Sequence, residues 1–286
     1  TPFGTLLMSS VRAHDTTFRA SGNRLTGKHR KRSQVQLIGR LCSQGAMQVS
    51  TEFRHARFMS QAHQSATEEH PPGPRPPLVP ADARELALDA TASAVILVEG
   101  WSDQAAIDTL ARRRGWDLRT EGILTLPIGG VTNLGAFIQV LGASGLGLRL
   151  AGLCDAADED YARRTLERAG MGTHLTRTGL EAMGFFVCEA DLEDELIRAL
   201  GTTAVEAVLN AQRELNSFRK FQEQPAQRGR SLNAQLRRFM GTRAGRKVRY
   251  GSLLIDAIDL AHVPRALELV IAHARAWAPE RPPSEA

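Results

Sequence analysis

The chain has 286 residues, a formal net charge of +5, 42% hydrophobic residues and 5% aromatic residues. That length suits one large domain or two small ones, and the apolar fraction supports a buried core, which excludes a wholly disordered chain. No apolar run is long enough to form a membrane-spanning helix, and the cysteines Cys42, Cys154 and Cys188 match neither a metal ribbon nor a disulfide scaffold.

Residues 1–82 mix Ser, Gln, Arg and His without sustained period and end in a Pro-rich run from Pro71 to Pro80. They read as a disordered basic segment, compatible with a transit peptide, a nucleic-acid-binding arm or a spurious extension. Leu6-Leu7-Met8 is too short for a signal-peptide core, so the expected location is cytoplasmic, with no membrane partner. Gly22 to Lys28 spells GxxxxGK, but His29 stands where a Ser or Thr would hold Mg2+, and no apolar strand precedes it. It reads as a chance match to a phosphate-binding loop.

From residue 83 strands and helices alternate. Ala94 to Val98 is an apolar strand followed by Gly100, and Ser102 can cap a helix running to about Arg114. Gly122 to Pro127 is a second strand, with Thr132 able to cap the next helix, to about Leu141. Leu148 to Cys154 is a third strand, followed by a helix from about Asp160 to Arg168. Phe185 to Cys188 is a short fourth strand, and Leu192 to Leu200 reads as helix. Beyond, residues 202–217, 230–240 and 262–276 look helical. The pattern predicts an α/β fold, a parallel sheet flanked by helices over 83–201, with a helical C-terminal extension over 202–286 packed on it.

The +5 conceals a contrast. Residues 83–209 carry a net −8, whereas residues 210–250 carry +9. Clustered carboxylates beside a basic stripe suit a protein that handles metal and phosphate together.

Parallel sheets place their sites at the carboxyl ends of the strands. Glu99 follows the first strand and Asp155 the third, so neighbouring strands would bring both to one rim. Asp103 lies one helical turn beyond Glu99, Asp158 follows Asp155, and Asp191 and Glu193 follow the fourth strand. Charges just past apolar strands need a partner, and Mg2+ or Mn2+ suits such hard oxygen ligands. Asp194 and Glu195 read instead as acidic residues favourable at a helix N-terminus, a reading also open to Asp103, Asp158 and Asp191, and Cys154 and Cys188 read as small buried residues. Gly129 and Gly130 either form a turn or allow a phosphate to approach the backbone. In the basic segment, Arg228, Arg230, Arg237, Arg246 and Arg249 are candidate phosphate contacts. Phe221 and Phe239 read as core rather than as base-stacking platforms.

Val98-Glu99-Gly100-Trp101-Ser102-Asp103, Pro127-Ile128-Gly129-Gly130 with Thr132-Asn133, Leu153-Cys154-Asp155 and Ala190 to Leu196 together resemble the Toprim domain. That fold is shared by type IA and type II topoisomerases, bacterial primases and nucleases of the overcoming-lysogenization-defect (OLD) type. The resemblance is sharpest to the last group, in its stand-alone "ATP-dependent endonuclease"-like form, and runs from about 92 through 275. It implies a Mg2+- or Mn2+-dependent endonuclease acting on nucleic acid, with DNA favoured over RNA. It implies that Glu99 and Asp103 are metal ligands of an ExxxD motif, Glu99 also serving as general acid or base. It implies that Asp155 opens a DxD motif, that Glu193 is the glutamate after the fourth strand, and that Lys247 stabilises transition-state charge. Two departures stand out. The second Asp of DxD is Ala157 here, with Asp158 one residue later as its substitute. Relatives of this type carry an ATPase domain before the Toprim domain. Without a usable phosphate-binding loop here, ATP dependence is not carried over, which leaves room for a separate ATPase partner. The alternative expectation is a catalytically weakened nucleic-acid-binding module on the same fold.

Overall fold

The computed structural model describes residues 76–243 and 245–277. The GxxxxGK stretch and residues 1–75 of the N-terminal segment lie outside the described residues.

Helix α1 (Pro80–Asp89) starts inside the stretch read as unstructured, with proline in its first turn, where a missing N–H costs nothing. Then come β1 (Ala94–Val98), α2 (Trp101–Arg113), β2 (Ile123–Pro127), α3 (Leu134–Leu141), β3 (Arg149–Asp155) and α4 (Glu159–Arg168). A short α5 (Arg177–Ala182) precedes β4 (Phe185–Cys188). The chain finishes through α6 (Leu192–Leu200), α7 (Thr202–Ala211), α8 (Leu215–Gln222), α9 (Leu232–Met240), α10 (Arg246–Ala257) and α11 (Arg265–Arg275). Among the described residues no helix is long and apolar enough to cross a membrane.

The four strands form one parallel sheet in the order β2-β1-β3-β4. β1 is buried along its whole length, as a central parallel strand covered on both faces must be. Alternate residues Ala94, Ile96 and Val98 join Ala151, Leu153 and Phe186 in one core with Ile107 and Leu110 of α2 and Leu267 and Ile271 of α11. Tyr250, Leu254 and Ile255 of α10 belong to the same core, so the C-terminal helices share their interior with the sheet. On the other side α4 packs on β3 and α5 on β4.

Three consecutive arginines fasten the C-terminal helices to α2. Arg113 donates to the carbonyls of Ile255 and Ile258, which end α10 without intrahelical partners. Arg112 meets Asp256, and Arg114 meets Glu268 and the Leu260 carbonyl.

Several boundaries differ from the expected ones for local reasons. Ser102 is buried inside α2 rather than capping it; Gly100 is the cap, and the Asp103 carboxylate accepts its N–H at 2.7 Å. Thr132 sits in a 3-10 turn ahead of α3 and caps nothing. The expected 202–217 helix is two helices, broken where Arg213 takes a left-handed φ of 59°.

Candidate metal and phosphodiester site

The chain runs from β1 outward to β2, then returns past β1 to β3. The order therefore reverses between β1 and β3, and at their carboxyl ends the two following connections diverge and leave a crevice. Glu99 is the first residue beyond β1 and Asp155 the last of β3. The Asp155 N–H donates to Glu99 Oε1 at 3.0 Å, tying the two strand ends together.

The Glu99 backbone is also held. Its carbonyl accepts the N–H groups of Gly129 at 3.0 Å and Gly130 at 3.1 Å. Both glycines have positive φ, 73° and 108°, which other residues rarely adopt. Because both N–H groups are engaged by Glu99, they shape a turn and are not free to cradle a phosphate. Asn133 braces this turn, donating from Nδ2 to the Ile128 carbonyl at 2.8 Å.

Around Glu99 the carboxylates converge. Asp158 lies within hydrogen-bonding reach of it, whereas Ala157 is exposed. Of these two positions, only Asp158 is in reach of Glu99. Asp103 is 8% exposed and Glu193 4% exposed. Burial, then the Glu193 charge, pushes the Asp103 carboxyl up to about 7. Burial, then the charges of Glu99, Asp103 and Asp191, pushes Asp155 up to about 8. Burial also raises Glu99 and Glu193. Carboxyls so crowded keep protons near neutrality unless positive charge enters among them.

Part of that charge comes from the C-terminal helices. Lys247, in the first turn of α10, places Nζ 3.0 Å from Glu193 Oε2. Burial pulls its ammonium down, but Glu193, Asp103 and Asp191 outweigh this and raise it overall, so it stays protonated. The other oxygen, Glu193 Oε1, is buried with no hydrogen-bond partner. A buried, unpartnered carboxylate oxygen fits a place that would hold a cation. Among the described residues no three ligand-type side chains already share one point at coordinating range, so binding a metal requires some of them to rotate.

Asp191 caps α6, its Oδ1 accepting the Asp194 N–H at 2.9 Å. Its Oδ2 receives Arg237 Nε at 2.6 Å and Nη2 at 2.5 Å. No sequence signal links these two residues. Asp194 and Glu195 pair with Arg198 on the helix surface, in keeping with a helix-start role. Cys154 and Cys188 are buried free thiols, and Phe221 and Phe239 pack with Phe218 inside the core.

The basic residues divide. Arg228 and Arg230 are exposed, the latter with Nε on the Ala226 carbonyl. Arg249 is exposed and bonds Gln212. Arg237 is spent on Asp191. Arg246 corrects the sequence expectation outright. It is 6% exposed, pairs with Glu214, donates to the Phe239 carbonyl and lies 4.1 Å over the Phe239 ring. Its guanidinium holds α8, α9 and α10 together and cannot meet a phosphate at the surface.

Comparisons with known proteins accord with this fold. Residues 91–156 match the family model "Overcoming lysogenization defect protein-like, TOPRIM domain". That stretch contains Glu99, Asp103, Asp155 and the Gly129-Gly130 turn. The fold is similar to the C-terminal region of the Burkholderia pseudomallei OLD protein, with TM-score 0.53 and 20% identity, over 66% of this chain and 99% of that one. It is also similar to the C-terminal region of the Xanthomonas campestris pv. campestris OLD protein, with TM-score 0.51 and 24% identity, over 65% of this chain and 93% of that one. No curated protein matches the sequence.

Proposed function

We propose that this chain is a divalent-metal-dependent Toprim-type nuclease that hydrolyses phosphodiester bonds in nucleic acid, with DNA as substrate, Mg2+ or Mn2+ as cofactor and the cytoplasm as its location. The observation that carries the reading is the buried, unpartnered Glu193 Oε1, whose charge acts on the buried Asp103 beside a Glu99 tied to Asp155 across the β1/β3 switch point.

Glu99, Asp103, Asp155, Asp158 and Glu193 would hold the metal. Bound there, it would supply Lewis-acid stabilisation of phosphoryl oxygens and a more acidic water. The remaining chemistry belongs to the chain. Glu99, anchored through its own carbonyl and the Asp155 N–H, is placed to accept a proton from the attacking water or return one to the leaving oxygen. Lys247 brings a fixed positive charge to the rim, where a pentavalent phosphorane gathers negative charge. The exposed Arg228, Arg230 and Arg249 supply cations on the same C-terminal part to guide the phosphate backbone. No ATP-binding element is proposed among the described residues, and a separate ATPase is a candidate partner.

Incubating the protein with supercoiled plasmid and Mg2+ or Mn2+ tests this. The expected result is nicking that EDTA stops and that Glu99→Ala abolishes. Equal residual nicking by wild type and Glu99→Ala would remove the catalytic claim.

The second reading is a nucleic-acid-binding module that cuts slowly or not at all, and Ala157 motivates it. The reach of Asp158 to Glu99 favours the nuclease over this alternative, because it replaces the lost carboxylate at the rim. Salt-dependent DNA binding that survives Glu99→Ala, without metal-dependent cleavage, would favour the module.

A further inference from the structure

Six carboxyl groups, those of Glu99, Asp103, Asp155, Asp158, Asp191 and Glu193, gather at or beside the rim, and two cations answer them, each arriving from a C-terminal helix. Lys247 from α10 meets Glu193; Arg237 from α9 meets Asp191. The Asp191 carboxylate is 11% exposed, and both its oxygens are engaged: one caps α6 and the other is gripped by the guanidinium. The Arg237 side chain, by contrast, is 47% exposed, so the pair meets solvent on its arginine side.

We propose that the Arg237–Asp191 pair attenuates the rim's affinity for divalent metal: Arg237 is a resident counter-cation that a metal must work against. The inference rests on the metal-binding part of the nuclease reading. The physical basis is additive potential. A fixed positive charge beside clustered carboxylates lowers the negative potential felt by an incoming dication, and it withholds Asp191 from joining the ligand set. It also stabilises the metal-free rim, because a carboxylate removed from water needs a partner. Arg237 therefore moves two quantities in opposite senses. It supports the metal-free fold and holds back the metal. A merely structural pair would support the fold and leave metal affinity unchanged, or support it too.

The test is direct Mn2+ binding to the full chain, followed by loss of the free-ion paramagnetic resonance signal, with metal-free melting temperature as a second readout. Arg237→Gln should bind Mn2+ about tenfold more tightly than wild type, while melting lower in EDTA. Arg237→Lys, which keeps the charge, should stay within about twofold of wild type. The double variant Arg237→Gln/Asp191→Asn should return close to the wild-type affinity, since one charge of each sign has gone. Equal or weaker Mn2+ binding by folded Arg237→Gln overturns the proposal. If Arg237→Gln does not fold, the comparison passes to Asp191→Asn, which leaves the guanidinium beside the rim without its partner. That variant must bind Mn2+ more weakly than the double variant, and equality overturns the proposal. Tightened binding without Glu99-dependent cleavage would keep this inference and remove the nuclease reading. No Mn2+ binding to any of the proteins would remove both.

Discussion

Lys247 Nζ stands 3.0 Å from Glu193 Oε2 and joins the first turn of α10 to the first turn of α6. The pair puts a lysine of the rim on an element far along the chain from its strands. Replacing it with an uncharged side chain of similar length isolates the charge. Lys247→Met should lower kcat about 100-fold with little change in KM, because the charge matters most when the phosphorane forms. Single-turnover cleavage with wild type and variant checks this. A rise in KM alone would make Lys247 a ground-state substrate contact.

Asp158 turns toward Glu99 while Ala157 faces solvent. Asp158→Asn should therefore weaken Mn2+ binding and cleavage by about tenfold or more, as losing one ligand of an anionic site does. Ala157→Asp, which writes a DxD pattern into the sequence, should gain less than about twofold, because its side chain would start from the solvent side. Paired Mn2+ titrations of the two variants check both halves. A large gain from Ala157→Asp together with a silent Asp158→Asn would reverse the assignment.

Burial and the neighbouring carboxylates raise Asp155 to about 8 and Asp103 to about 7. A raised carboxyl means the folded protein keeps protons that the unfolded chain releases above its ordinary pKa, about 4. The contribution of these groups is therefore favourable in acid, falls as pH rises from about 4 to about 8, and is constant above that. Between about pH 6 and pH 8 the metal-free wild type should lose more melting temperature than Asp155→Asn, which cannot ionise there. Thermal melts in EDTA across that range check the sign; parallel curves would count against it.

Arg246 is buried against Phe239 and paired with Glu214, which also accepts the Tyr250 hydroxyl at 2.8 Å. Arg246→Ala should destabilise the fold by about 3 kcal/mol, since it strands a carboxylate and removes packing at once. The exposed Arg228→Ala should change stability by less than about 0.5 kcal/mol and act only on nucleic-acid affinity. Urea denaturation and a DNA-binding titration separate the two. Equal stability of both variants would contradict the buried role.

Much of the site is legible locally. β4 and α6 fall where the sequence places them, because a short apolar run and an amphipathic acidic helix start are local signals. Glu99 and Asp155 stand out because a charge directly after an apolar strand sits at the edge of the core, where it must meet a partner. Helix α10 is not legible. Gly251 lies in its interior and lowers its intrinsic helicity. The reason for the glycine is tertiary: a Cβ there would stand 2.7 Å from the Ser102 carbonyl oxygen on α2. Arg246 escapes sequence reading for a related reason. In sequence it is one more cation in a basic stripe, and only packing reveals that it is inside.

By itself the sequence determined the alternation of strands and helices, the parallel sheet and the carboxylates at the strand ends, since each depends on periodicity or on a residue's place beside an apolar run. The tertiary structure decided which cations meet those carboxylates, that the Gly129 and Gly130 N–H groups serve the Glu99 carbonyl, and that Asp158 rather than residue 157 faces inward. Those outcomes depend on distances between elements remote in the chain, and on side-chain direction at one turn. Hydrophobic patterning specifies which face of an element is buried, but it carries no record of the partner that face will meet.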